Sequence, residues 1–144
     1  MEFNITEGQV GTRPPVVKPD PRVLEHLGEE GMRQLISDHY DLLKQSNIRG
    51  LFPPTEKGFE MAKKHSSDFF IQICGGTRHF DQSRGKPMMA ARHAPFAITQ
   101  EARRVWLESY IMILKPLDMP EELKESLWNY LDIFSIWMMN TTEQ

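Results

Sequence analysis

Apolar side chains return every three or four positions in several long stretches of this chain and nowhere alternate two by two, which predicts helices and no sheet. "PRVLEHL", from Pro21, reads as a short helix opened by proline, with Gly28 and Gly31 bracketing a corner. Beyond the corner Met32, Leu35, Ile36, His39, Leu42 and Leu43 share one face of a longer helix, with Tyr40 at its edge. "SNIRGLFPP" breaks that pattern. Thr55 suits the N-cap of a third helix, whose inward stripe is Phe59, Ala62, Ser66, Phe69, Phe70 and Ile73 and whose end is Gly75-Gly76. Thr99 caps a fourth, with Arg103, Trp106, Tyr110, Ile113 and Leu114 in register and a stop at Lys115-Pro116. A last helix, with Pro120 in its first turn, buries Leu123, Leu127, Tyr130, Leu131, Phe134 and Met138. Between Thr77 and Ile98 the chain reads as mostly irregular, with a brief helical run from Met88 to His93. The expected fold class is all-α, with about five helices.

A length of 144 residues fits one domain. Residues 1–21 are rich in proline and glycine and carry no period, so they read as an extended N-terminal arm or a disordered tail; residues 22–144 form the domain. The net charge of −3 gives no broad attraction to nucleic acid or to an anionic bilayer. One cysteine, Cys74, excludes an internal disulfide and a cysteine-based metal cluster. "MEFNITEGQVG" lacks the pattern of a secretory leader, and no apolar run approaches the ~18 residues of a membrane span. The expectation is a cytoplasmic protein that binds neither nucleic acid nor membrane.

Three polar groups sit on apolar stripes: Tyr40, Ser66 and Trp106. Together they predict a polar spot inside an apolar cavity, although Ser66 also has the option of bonding a carbonyl of its own helix. His93, in "RGKPMMAARHAPFAI", is the fourth element. The other histidines, His26, His39, His65 and His79, are scattered without metal-ligand spacing, so a closed zinc or di-iron site is not expected. One histidine suffices as a metal ligand when the remaining ligands belong to a cofactor, and a haem supplies four porphyrin nitrogens and needs one axial imidazole. On that reading Met88, Met89, Phe96 and Ile98 are apolar contacts to a flat ring and Arg92 reaches a propionate.

The stretch "FFIQICGGTRHFDQSRGKPMMAARHAPFAIT", continued by "EARRVWLESY", resembles the truncated haemoglobins, and the tryptophan of the fourth helix points to their group II. The resemblance runs from about Leu24 to Met139. It rests on a tyrosine in the second helix, an aromatic before proline (Phe52-Pro53), Gly75-Gly76, G-x-P-M, R-H-x-P-F, and a tryptophan thirteen residues after the histidine. It implies a 2-over-2 helical sandwich enclosing haem b (iron protoporphyrin IX), with residues 22–144 as the globin domain. His93 would be the proximal iron ligand. Tyr40 and Trp106 would donate hydrogen bonds to ligand, Ala62 and Ser66 would complete the distal face, and Phe52 and Phe69 would pack on the ring. Ala62 stands where vertebrate globins place a distal histidine, and Ser66 where the family more often has a bulky apolar residue or glutamine. His39 replaces the aromatic that usually precedes the tyrosine.

Lys63, His65 and Arg92 are candidate propionate contacts; for His65 the alternatives are solvent and a sixth iron ligand. Two functions stay open: a reversible binder of O2, CO and NO engaged in carriage or sensing, and a redox enzyme consuming nitric oxide or peroxide with an external reductase. A haem-free helical interaction module is a third. The expected assembly is a monomer or homodimer.

Overall fold

The computed structural model describes residues 1–142, and helices dominate it with no strand among the described residues. Helix α1 runs Arg22–Lys44 and is kinked at Gly28, whose φ of 70° and ψ of 170° lie outside the helical region. That left-handed backbone suits glycine because it carries no Cβ. The expected corner is therefore at Gly28 alone; Gly31 lies inside the helix, where a Cβ would come within 3.2 Å of Leu27 Cβ. A 3-10 turn, Arg49–Leu51, leads to α2, Glu56–Ile73. The Thr55 hydroxyl accepts from the Gly58 amide at the start of α2, and the Thr99 hydroxyl does the same for Ala102 at the start of α5 (Gln100–Leu114), each cap contributing about 1 kcal/mol.

Helix α3, His79–Arg84, lies in a segment expected to be irregular. Its six residues are too few to display a period, and Phe80, at 2% exposure, is its only buried side chain. Helix α4 is Met89–His93 and α6 is Glu121–Met138. Among the long helices α1 packs on α2 and on α5, and α5 packs on α6. The core between them holds Met32, Ile36, Phe70, Leu107, Tyr110, Leu127 and Leu131. No helix among the described residues is long and apolar enough to cross a membrane.

The N-terminal arm is an extended strap along α6. The indole N–H of Trp128 donates to the Asn4 carbonyl at 3.1 Å and that of Trp137 to the Pro14 carbonyl at 2.7 Å. Phe3 meets the Trp128 ring edge-on at 5.2 Å. At its centre the Thr6 amide and hydroxyl both donate to the Asp132 carboxylate, at 3.0 and 2.6 Å. A segment without periodicity is thus ordered by the partners it meets on α6.

Candidate functional site

A cavity of about 530 Å3 opens between α1, α2, α3, α4, α5 and α6. Its walls are mostly apolar, and the polar groups that reach it are few enough to follow one by one.

The chain has three tryptophans. Trp128 and Trp137 have their N–H groups engaged by the arm. Trp106, from the middle of α5, lines the cavity and its indole N–H has no hydrogen-bond partner among the described residues. Tyr40 enters from α1, with Phe52 and Phe59 edge-on to its ring at 5.5 and 5.6 Å. Burial raises its phenol above the usual tyrosine range, and a hydrogen bond with Ser66 partly offsets that rise. Ser66 therefore faces Tyr40 across the α1–α2 contact. Ala62, one turn earlier on α2, lines the same wall, and its methyl leaves that wall thin.

His93 ends α4 and lines the cavity. Its Nδ1 lies 2.7 Å from the Met89 carbonyl, so that nitrogen carries the proton as donor and leaves the Nε2 lone pair free. A backbone carbonyl holding one ring nitrogen is the arrangement that orients a metal-binding imidazole. Phe96, Ile98, Phe69 and Met89 line the cavity. Met88 does not: its left-handed backbone (φ 44°) turns the side chain out, and it is 64% exposed.

The charged candidates divide in the same way. Lys63 does not line the cavity; its ammonium is held by Asp41 at 2.8 Å and Ser37 at 3.0 Å on α1. Arg92 lines the cavity, but its Nε and Nη2 donate to the carbonyls of Pro87, Arg84 and Lys86 at 2.6–3.0 Å, tying down the loop before α4. His65 lines the cavity, and its Nδ1 is buried without a partner. Burial, and then the cations of Arg84 and Lys64, push its pKa below the ordinary imidazole value. Arg84, absent from the sequence-based candidates, also lines the cavity and forms no ion pair among the described residues. Its one sequence signal is its place just before the G-x-P-M motif.

Arg103 was expected in a helical stripe and is in fact a buried cation in the cavity wall, 3% exposed. It donates to Ser135 Oγ, to the Thr6 carbonyl, and to the backbone and carboxylate of Asp132, all at 2.7–2.9 Å. Burial lowers its pKa and Asp132 opposes the fall.

Among the described residues no group of three His, Cys, Asp or Glu side chains could hold a metal ion. An ion at His93 would need its other ligands from a cofactor, and the mostly apolar cavity, at about 530 Å3, has room for one. One free imidazole nitrogen, an unpartnered indole N–H, a phenol and a cationic rim fit a haem.

The sequence profile described as bacterial-like globin matches residues 23–140. The group 2 truncated haemoglobin YjbI of Bacillus subtilis (strain 168) is 31% identical over 120 residues, spanning 83% of this chain and 89% of that protein. Among solved structures, phosphate-bound Hell's gate globin IV superposes with a TM-score of 0.87 at 34% identity, covering 98% of this chain and 89% of that one. The truncated oxygen-avid haemoglobin of Bacillus subtilis superposes at 0.76 with 27% identity, over 82% and 98% of the two chains.

Proposed function

The chain belongs to the bacterial-like globins, as a group II truncated haemoglobin, and on that premise we propose that it carries haem b on His93 and binds O2 reversibly between Tyr40 and Trp106. Bound haem supplies the iron at which O2, CO or NO is taken up. His93 Nε2, with its lone pair free, holds the iron. The single cysteine, Cys74, is buried, and one cysteine cannot supply the C-x-x-C-H attachment of a c-type haem, so retention is non-covalent. Arg84 and His65 at the rim meet the propionates, a role in which Arg92 acts mainly by holding the loop.

The observation that carries the reading is the free indole N–H of Trp106, in a protein whose other two indoles are hydrogen-bonded. Facing the cavity with no partner of its own, this donor is open to whatever arrives there to accept from it. O2 takes up negative charge on binding and is such an acceptor, whereas CO is a poor one. The Tyr40 phenol lines the same cavity, so its hydroxyl can donate to the same ligand. The name of the Bacillus subtilis relative, an oxygen-avid haemoglobin, agrees with this reading. Absorption spectra of the purified protein in its ferric, ferrous, O2 and CO forms test it. A colourless protein, or a haem protein that forms no stable O2 complex, would overturn it.

A further inference from the structure

Resting on the reading of Trp106 as a ligand donor, we propose that His39 is a positioning residue that fixes Trp106 against the cavity, through a hydrogen bond from its Nε2–H to the Trp106 backbone carbonyl. His39 is 0% exposed. Its Nε2 lies 3.0 Å from the Trp106 carbonyl oxygen, which can only accept, so the proton is on Nε2. The imidazole stacks on Tyr110 with centroids 3.4 Å apart and planes within 17°, and meets the Trp106 indole edge-on at 5.4 Å. Tyr40 follows His39 in sequence and turns into the cavity. One dipeptide of α1 therefore supplies one donor and anchors the residue carrying the other.

The cost borne by the imidazole shows that packing is not its purpose. Its Nδ1 is buried with no partner, a penalty that a phenyl ring in the same stack would avoid. What the imidazole adds over phenyl is the Nε2–H, directed at the backbone of Trp106. That bond joins α1 to α5 at Trp106, whose indole N–H has no partner among the described residues. It limits rotation of α5 about its own axis and so sets where the indole points.

The test uses the full-length haem protein as wild type, His39→Phe, Trp106→Phe and the double variant. His39→Phe should release O2 about tenfold faster, equivalent to misaligning one hydrogen bond, with CO release within about twofold of wild type. On the Trp106→Phe background the same change should add nothing, because its effect passes through the indole. In the CO-bound ferrous protein, the Trp106 indole N–H resonance should move in His39→Phe. His39→Gln, which keeps an N–H donor, should recover part of the slow O2 release. Acceleration by Trp106→Phe without acceleration by His39→Phe would overturn the inference, as would equal acceleration on both backgrounds. If Trp106→Phe leaves O2 release unchanged, the donor reading fails, and the indole resonance alone decides the positioning role: moved supports it, unmoved overturns it. Should His39→Phe not fold, the wild-type imidazole decides. An exchange-protected Nε2–H supports the inference, and a proton on Nδ1 overturns it.

Discussion

Replacing Asp132 by alanine strands a buried cation beside the cavity. Asp132 is 5% and Arg103 3% exposed. The variant loses the bonds that the carboxylate accepts from Thr6 N, Thr6 Oγ1 and Arg103 Nη2 at 3.0, 2.6 and 2.7 Å. Arg103 keeps Ser135 Oγ, the Thr6 carbonyl and the residue 132 carbonyl, so its N–H groups stay largely bonded but its charge has no counterpart. Breaking one side of such a buried pair costs about 3–5 kcal/mol. For a domain of this size each kcal/mol moves Tm by about 2–4 °C, giving a fall of roughly 6–20 °C. Chemical denaturation at fixed haem stoichiometry measures it. Arg103→Met with Asp132→Leu removes both charges and should recover most of the loss, since an apolar pair of similar volume is often no worse than the ion pair. A loss under about 1 kcal/mol for Asp132→Ala, or a double variant no better than the single one, would refute the reasoning that this knot joins the arm to the domain through buried charge.

Three further outcomes follow from the site. Tyr40→Phe and Trp106→Phe should each speed O2 release by about one to two orders of magnitude, the loss of a hydrogen bond to a charged acceptor, and change CO release far less; flash photolysis and stopped flow read both, and equal acceleration of the two ligands would mean a steric cause. Ala62→Trp should slow CO association by closing the thin wall on α2, and an unchanged rate would mean that ligands enter elsewhere. The third concerns acid. Burial lowers His39 from an ordinary value near 6.5 to about 3, so the unfolded chain takes up a proton that the folded one refuses. Stability supplied by this residue is present above about pH 6.5 and is lost as the pH falls toward about 3, by up to about 1.4 kcal/mol per pH unit. Denaturation midpoints measured from pH 7 to 4 should show a shallower fall in His39→Phe, and parallel curves would contradict the assignment.

What the sequence made legible was what periodicity and short motifs can carry. The long helices follow from stripes such as Leu35-Ile36-His39-Leu43, and the cavity's main groups from Tyr40, Trp106 and the R-H-x-P-F motif around His93. Periodicity fails where an element is shorter than two turns, which hid α3, and where order comes from a partner, which hid the arm's course along α6. Spacing also cannot tell how a charged head is engaged: Lys63 is on the right helix yet turns to Asp41, and Met88 is in the right motif yet faces out. Arg103 looked like part of a packing stripe because its partner, Asp132, is distant in sequence and reaches it only once α5 and α6 pack.

The most direct test is the absorption spectrum of ferrous His93→Gly with and without added imidazole. The variant should hold haem weakly and lack the five-coordinate imidazole spectrum of the wild type, and imidazole entering the vacated space should restore it. A variant that keeps the imidazole-ligated spectrum with none added would show that another residue holds the iron.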